Sequence, residues 1–222
     1  MIILGCEDNK KAAETEEINT PSVTSDTIVE TTEKEEVDKP SYPFLTNENV
    51  EAFLTAYGKE NPETKVLLKT SHGNIALQLY NDTPLHRANF VYMIKNGYLN
   101  TTMFHRVIDG FMIQGGNSDY RNTARMRSQL GKYTIPAEIK YKHHRGALAS
   151  AKEYRENPDD RSSSFEFYIV QNPKGAHHLD PNYTVFGKVM SGMDAVDKIA
   201  KLDTDEGDWP LQNVFIEAEF MN

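Results

Sequence analysis

The chain has 222 residues, of which 38% are apolar and 10% aromatic, which is enough to form the core of a globular domain. Its formal net charge of -9 is concentrated near the start, because residues 7–40 hold eleven acidic and four basic side chains. The remainder is nearly neutral and has no basic stripe, which argues against a nucleic-acid partner. The sequence has no apolar run of about 18 residues, so nothing spans a membrane as written.

The single cysteine, Cys6, excludes an internal disulfide and a multi-cysteine zinc site. It follows Ile3-Leu4-Gly5, and this ending resembles the lipobox of bacterial lipoproteins, in which the cysteine carries the lipid. The resemblance implies lipid attachment at Cys6 and a location in the bacterial cell envelope, facing the periplasm or the outer surface. Because five residues cannot hold a complete signal peptide, it also implies a truncated or mis-set start. The alternative is a free thiol on a disordered end.

Residues 7–40 contain no aromatic residue and are rich in Glu, Thr, Lys, Asp and Ser. Such a segment cannot bury enough surface to offset the entropy of ordering, so residues 1–40 are predicted to be a lipobox-like start and a disordered linker. A short helical extension is predicted over residues 41–63, with Thr46 or Asn47 as N-cap and Gly58 as its end. Its apolar residues at helical spacing are Val50, Phe53, Leu54 and Tyr57. We expect it to pack against the domain, and partner binding is the alternative.

After Pro62 the apolar period changes to two, which predicts a β-hairpin with a turn at residues 71–74. A helix is predicted to begin at Thr83-Pro84 and to end at Gly97. The later predicted elements are strands near residues 167–170 and 184–189, a small helix near 193–200 and a final strand at 214–220. Many short strands with only two helices in about 160 residues favour an all-β fold, a closed antiparallel barrel with helical caps.

The densest motif runs from Phe104 to Gly116 and reads FHRVIDGFMIQGG. It resembles the signature of the cyclophilins, a family of peptidyl-prolyl cis/trans isomerases. Further matches follow in the expected order: Arg87-Ala88-Asn89-Phe90, Gly146-Ala147-Leu148, Phe167-Tyr168-Ile169, His178-Leu179-Asp180 and Val185-Phe186-Gly187-Lys188-Val189. The resemblance covers residues 64–222. It implies an eight-stranded antiparallel barrel capped by two helices and an isomerase that acts on proline-containing polypeptides and assists folding. Separately, we expect a monomer.

Rotation about a peptide bond costs about 18–20 kcal/mol and breaks no bond, so the catalyst needs no nucleophile, metal or cofactor. It needs an apolar pocket for the proline ring and a donor for the imide nitrogen, and Arg106 offers several N–H groups in a fixed plane. Gln114 is the second candidate catalytic residue, because it can hold the substrate backbone. The candidate substrate-binding residues are Phe111, Met112, Ala151, Glu166, Tyr168, His178, Leu179 and Tyr183. Outside the signature, Arg106 would be interpreted as a surface arginine, and Phe111 and Met112 as core.

Family members commonly have Ser-Gln-Phe-Phe where this chain has Phe165-Glu166-Phe167-Tyr168. If Glu166 reaches Arg106, the resulting ion pair either orients the donor or competes with the substrate for it. Both possibilities stay open from the sequence. The second one supports an alternative function, a binding module or chaperone that recognises proline-containing segments with weak catalysis.

Other positions also depart from the family pattern. His178 stands where many cyclophilins have tryptophan, which weakens the expectation of cyclosporin binding, and Tyr183 stands where they have histidine. Lys152 replaces an asparagine after Ala151, and the charged insertion 153–164 is predicted to be a loop near the groove. The adjacent histidines at 143–144 and 177–178 would point to opposite faces in extended structure, so no metal site is predicted.

Overall fold

The computed structural model describes residues 43–153 and 156–222. The predicted linker over residues 1–40 and the predicted lipid attachment at Cys6 lie outside these residues. The helices are α1 (Val50–Glu60), α2 (Pro84–Lys95), α3 (Arg121–Leu130) and α4 (Met193–Ala200), with 3-10 helices at Leu99–Thr101 and His177–Leu179. The strands are β1 (Leu45–Thr46), β2 (Lys65–Thr70), β3 (Gly73–Leu79), β4 (Met103–Ile108), β5 (Met112–Asn117), β6 (Gly131–Lys132), β7 (Thr134–Ile135), β8 (Ala147–Ser150), β9 (Ser162–Ser163), β10 (Phe167–Val170), β11 (Val185–Ser191), β12 (Val214–Phe215) and β13 (Glu217–Phe220). Within the described residues, no helix has both the length and the apolar character that a membrane span needs.

Nine strands form one antiparallel sheet in the order β12-β4-β5-β10-β8-β11-β3-β2-β13. The last two strands close the barrel, since β12 pairs with β4 at one edge and β13 pairs with β2 at the other. Only Ile216 separates them, and its N–H donates to the carbonyl of Thr102 at 3.0 Å. Counted as one strand, this C-terminal segment gives the eight-stranded closed barrel that the resemblance implies. Counted by pairing, the barrel has nine strands.

The side chains of β10 alternate between two apolar clusters. Phe167 and Ile169 belong to the main core, whereas Tyr168 and Val170 belong to a second cluster with Met112. Successive side chains of a strand point to opposite faces, so the two clusters lie on the two sides of the sheet. The second cluster is therefore available to form the floor of a surface pocket.

The extension before the barrel packs against α2, as expected, but Gly58 does not end its helix. The helix α1 continues to Glu60, and a Cβ atom on Gly58 would lie 3.0 Å from the Cβ of Ala88. Glycine is needed here for the close approach of two helices. Arg87 Nη2 donates to the Gly58 carbonyl at 2.7 Å and Nη1 to the Asn61 carbonyl at 2.8 Å, so this buried arginine binds the C-terminal carbonyls of α1.

Helix α3 was not predicted from the sequence, so the described residues contain four α-helices rather than the three predicted, one in the extension and two in the barrel domain. Its sequence, RNTARMRSQL, has too few apolar residues to give a helical period. Leu130 and Met126 pack against the core, and polar contacts add to this: Thr123 Oγ1 donates to the Thr101 carbonyl at 2.6 Å, and Arg127 Nε donates to the hydroxyl of Tyr98 at 2.7 Å. The helix brings Arg127 close to the candidate site.

Candidate active site

The hairpin of β4 and β5 brings the signature residues to one face of the barrel. Arg106 and Gln114 are register partners in the two strands, and both are half-buried. The turn between the strands is held from outside, because Gln171 Oε1 accepts a hydrogen bond from the Gly110 N–H at 2.9 Å. The backbone N–H of Gln171 also donates to the Phe111 carbonyl at 2.8 Å. The hairpin therefore presents an arginine, an amide and an aromatic ring together.

A pocket of about 200 Å³ opens beside this hairpin. Its lining residues are Arg106, Phe111, Met112, Gln114, Ala151, Lys152, Tyr168, Leu179 and Tyr183. Eight of the ten predicted site residues are among them. The other two lie next to the pocket: the His178 ring is 5.6 Å from the Phe111 ring, and Glu166 accepts a hydrogen bond from Gln114. Lys152 lines the pocket although it was singled out only as a departure from the family pattern.

The floor of the pocket is apolar. Met112, Ala151 and Tyr168 are at most 7% exposed and belong to the second apolar cluster, against which Phe111 and Leu179 pack partly buried. Hydrophobic burial is non-directional and depends on area, so this floor can accept a compact apolar ring. The polar groups Arg106 and Gln114 lie at its edge, where they can contact a peptide backbone.

A chain of hydrogen bonds lies behind the floor. The Tyr168 hydroxyl is 2.9 Å from His143 Nε2, and His143 Nδ1 is 2.9 Å from Asp180 Oδ1. Asp180 is acceptor only, so Nδ1 carries the proton and Nε2 accepts from the tyrosine. The second oxygen of Asp180 is 3.0 Å from His177 Nδ1. The hydroxyl that tyrosine adds to the floor is thereby hydrogen-bonded away from the pocket.

The pKa values of this chain follow from burial and hydrogen bonding. Burial raises the pKa of the Tyr168 hydroxyl and lowers the pKa of the His143 ring. Burial also opposes ionisation of Asp180, but hydrogen bonds from the His143 backbone and ring and from the His177 ring outweigh it and lower the pKa to about 2. At neutral pH the chain therefore consists of a neutral tyrosine, a neutral histidine and an ionised aspartate.

The two histidine pairs have different environments. His143 is buried and His144 is exposed, whereas His177 and His178 are both exposed and lie in a 3-10 helix rather than in extended structure. The helical turn places the His177 ring 5.0 Å from the His144 ring. Within residues 43–153 and 156–222, no group of three His, Cys, Asp or Glu side chains is arranged to hold a metal ion.

Arg106 pairs with Asp208 and not with Glu166. Both Nε and Nη2 of Arg106 contact Asp208 Oδ2, at 3.2 and 3.1 Å. No sequence pattern connects these residues, which are 102 positions apart. The condition that Glu166 reaches Arg106 is therefore not met, because the carboxylate of Asp208 lies along that edge of the guanidinium.

Glu166 instead contacts Gln114 and Arg127. Its Oε2 accepts from Gln114 Nε2 at 2.9 Å, and its Oε1 accepts from Arg127 Nη2 at 3.0 Å. Burial opposes the charged form, but His105, 3.7 Å away, and Arg127 lower the pKa of Glu166 to about 2. Glu166 therefore stays ionised and fixes the amide of Gln114. Sequence reasoning missed Arg127 because helix α3 gave no periodic signal.

Lys152 is held at the rim of the pocket by two neighbours. Its ammonium group pairs with Asp160 and lies 4.6 Å from the centre of the Tyr183 ring. The insertion that contributes Asp160 also contains β9, which pairs with β7 in a two-stranded sheet separate from the barrel. The charged insertion thus reaches the groove, as predicted, through an ion pair with a pocket residue.

The fold is shared with solved structures. A cyclophilin-type peptidyl-prolyl cis-trans isomerase from Cryptosporidium parvum superimposes with a TM-score of 0.59 at 23% identity, and the match covers 72% of this chain and 98% of that one. The barrel is therefore of the cyclophilin type.

The sequence comparisons agree with the fold. The family model described as cyclophilin type peptidyl-prolyl cis-trans isomerase/CLD matches residues 65–219. A peptidyl-prolyl cis-trans isomerase of Acinetobacter baylyi is 40% identical over 143 residues, which are 64% of this chain and 74% of that protein. Peptidyl-prolyl cis-trans isomerase A of Dickeya dadantii is 36% identical, over 73% of this chain and 84% of its own length. The chain belongs to the cyclophilin-type peptidyl-prolyl cis-trans isomerase family.

Proposed function

We propose that the pocket beside Arg106 is where this isomerase binds a proline ring and rotates the preceding peptide bond. The observation that carries the proposal is the juxtaposition of a fixed guanidinium with an apolar floor of Met112, Ala151 and Tyr168. A related fold supports the choice of substrate, since a Cryptosporidium parvum cyclophilin was crystallised in the presence of the dipeptide Ala-Pro.

Arg106 is proposed to supply the electrostatic part of catalysis. When the amide twists, resonance is lost and the lone pair localises on the imide nitrogen, which becomes a better hydrogen-bond acceptor. A guanidinium N–H aimed at this nitrogen binds the twisted state more strongly than either planar isomer, which is the condition for catalysis. Asp208 contacts Nε and Nη2, so the two N–H groups of Nη1 stay available for substrate.

Gln114 is proposed to hold the substrate backbone by accepting a hydrogen bond. Its Nε2 donates to Glu166, which leaves the side-chain carbonyl oxygen as the group that can face a ligand. An acceptor at this position suits a peptide N–H and would fix the register of the chain while the proline ring stays on the floor. Gln114 and Arg106 would then act on two sides of the same bond.

The location in the cell envelope is a second proposal, which rests on the resemblance of Ile3-Leu4-Gly5-Cys6 to a lipobox. The acidic segment over residues 7–40 has the composition of a tether between a lipid anchor and a domain. The clients would then be proline-containing proteins outside the cytoplasm, bound by a monomer. The intact mass of the protein from native membranes tests this: acyl chains on Cys6 are expected, and a free thiol would refute it.

Acceleration of a refolding reaction tests the isomerase in its biological role. The reporter is a protein whose slow refolding phase is limited by prolyl isomerisation and takes tens to hundreds of seconds at 25 °C. Full-length chain at low stoichiometry is expected to shorten that phase, whereas Arg106→Ala is not. The alternative of a binding module would give the opposite result, a refolding phase slowed in proportion to added protein. The ion pair on which that alternative relied is replaced by the pair of Arg106 with Asp208.

A further inference from the structure

Asp208 lies in a tight loop between α4 and β12, over residues 203–210. The loop is closed by its own hydrogen bonds: Asp205 Oδ1 accepts from the N–H groups of Gly207 and Trp209 at 2.8 and 2.9 Å. The Asp205 N–H also donates to the Trp209 carbonyl at 2.9 Å, and Thr204 bridges Pro210. These contacts hold residues 205–209 as one compact turn.

The backbone of Asp208 has φ of 64°, in the left-handed region that non-glycine residues seldom adopt. Aspartate tolerates this conformation better than most residues. Its N–H donates to the Asp205 carbonyl at 3.2 Å, so the conformation is part of the loop closure. The direction of the carboxylate is therefore set by the backbone as well as by its partner.

The loop is also fastened to the strand that carries the arginine. The Val107 N–H donates to the Asp208 carbonyl at 2.9 Å, and the Trp209 ring lies 5.8 Å from the ring of His105. Residues 105, 106 and 107 of β4 are thus each in contact with residues 208–209. Because the contacts flank Arg106 on both sides, the Asp208 carboxylate stays at a constant position relative to the guanidinium.

The contact uses one edge of the guanidinium. A single oxygen, Asp208 Oδ2, lies 3.2 Å from Nε and 3.1 Å from Nη2 of Arg106. Both side chains are partly solvent-exposed, at 33% and 40%, and exposed ion pairs contribute little to folding stability. Two donors on one acceptor do restrict rotation of the guanidinium plane, and Nη1 is left directed away from the carboxylate.

We propose that Asp208 is a positioning residue of the isomerase, which acts on the substrate only through Arg106. The inference rests on the proposed role of Arg106 as the donor to the imide nitrogen. With the plane held, the donor is in place before the amide twists, so the contribution of Asp208 is made in the transition state rather than in substrate binding. Loss of the carboxylate is expected to lower kcat and to leave KM nearly unchanged.

Asp208→Gly is the sharpest variant, because glycine keeps the positive φ while removing the carboxylate. Asp208→Asn keeps the shape and a neutral acceptor, and asparagine also tolerates the left-handed region. Glu206→Gln is the matched control, since Glu206 is an exposed acid of the same loop. We expect kcat for an Xaa-Pro peptide to fall about fivefold in Asp208→Gly and less in Asp208→Asn, and to stay at the wild-type value in Glu206→Gln.

A double-mutant cycle separates this inference from the role of Arg106. If Asp208 acts through the arginine, Asp208→Gly has no further effect on kcat in the Arg106→Ala background. An equal fold-loss in both backgrounds would overturn the inference while leaving the isomerase intact. Wild-type activity in Arg106→Ala would refute the role of the arginine itself, and unchanged or raised kcat in Asp208→Gly would show that the carboxylate does not position the donor.

A spectroscopic measurement distinguishes positioning of Arg106 from a role of Asp208 in folding alone. In the nuclear magnetic resonance spectrum of the wild type and of Glu206→Gln, the Nε–H of Arg106 is expected at a chemical shift different from that of a solvent-exposed arginine. Its exchange with solvent is expected to be slow. It is expected to lose the shift and the slow exchange in Asp208→Gly while the backbone spectrum stays folded. A kcat loss with an unaltered Nε–H resonance would overturn the inference.

Discussion

Glu166 joins Gln114 to Arg127: its Oε2 lies 2.9 Å from Gln114 Nε2 and its Oε1 lies 3.0 Å from Arg127 Nη2. A neutral amide at this position would have one acceptor oxygen and no charge, so it could not accept from both partners as the two carboxylate oxygens do. Arg127 also donates to the Gly116 carbonyl at 2.9 Å, so the network connects α3 to the end of β5. Glu166, which stands where family members commonly have glutamine, therefore has Arg127 as a basic partner.

Glu166→Gln is predicted to lower both stability and turnover. It removes the charge opposite a half-buried arginine and weakens two hydrogen bonds of Glu166, which is expected to lower the free energy of unfolding by about 1 kcal/mol. It also lets the Gln114 amide rotate, so kcat for an Xaa-Pro peptide should fall a few-fold. Urea unfolding and a peptide exchange assay check the two effects. Glu219→Gln, which alters an exposed pair with Lys69, serves as control, and higher turnover in Glu166→Gln would contradict the orienting role.

The free energy of unfolding is predicted to decrease at low pH because of Glu166 and Asp180, whose pKa values are both lowered to about 2. A carboxyl group whose pKa is lower in the folded than in the unfolded chain stabilises the fold at any pH above the unfolded-state pKa. This stabilisation is lost as the pH falls through the folded-state pKa. The contribution is thus present above about pH 5 and disappears towards pH 2. Urea midpoints at pH 7, 5 and 3 should fall less steeply for Glu166→Gln than for the wild type. Parallel profiles would refute the assignment.

Tyr168→Phe tests the chain behind the pocket floor. The substitution leaves His143 Nε2 without its partner in a ring that is fully buried, which is expected to cost about 1–2 kcal/mol of unfolding free energy. The apolar floor is retained, so KM should change little. Tyr120→Phe, which removes the hydroxyl of an exposed ring, is the control and should stay within about 0.5 kcal/mol. Equal stability of the two variants would show that the hydroxyl contributes nothing.

The barrel was predictable because its strands carry strong local signals. The alternation around Val66 and Leu77 predicted the first hairpin, which pairs in register as β2 and β3. Proline at the first position and Gly97 with φ of 70° correctly bounded α2. Helix α3 escaped prediction because Met126 and Leu130 are its only large apolar residues, and hydrogen bonds to residues distant in sequence supply its other contacts.

The residues of the candidate pocket were predictable only in and near the signature and the other motifs that match the family. The motifs contain six residues of the pocket, and comparison with the family pattern added Ala151 and Tyr183, but neither gave the partners of its polar groups. From the sequence alone, Asp208 and Arg127 would be interpreted as charged surface residues. Only the folded barrel brings them into contact with Arg106 and Glu166. Ion pairs between residues far apart in sequence leave no periodic pattern, so their assignment needed the structure.

The most direct test of the account is the rate at which full-length chain interconverts the cis and trans forms of an Xaa-Pro peptide, measured by exchange spectroscopy beside Arg106→Ala. The wild type is expected to accelerate the exchange, and the variant to lose roughly 100-fold of kcat while still binding the peptide. Equal acceleration by both proteins would contradict the role given to Arg106, and no acceleration by the wild type, with peptide bound, would contradict catalysis at this pocket.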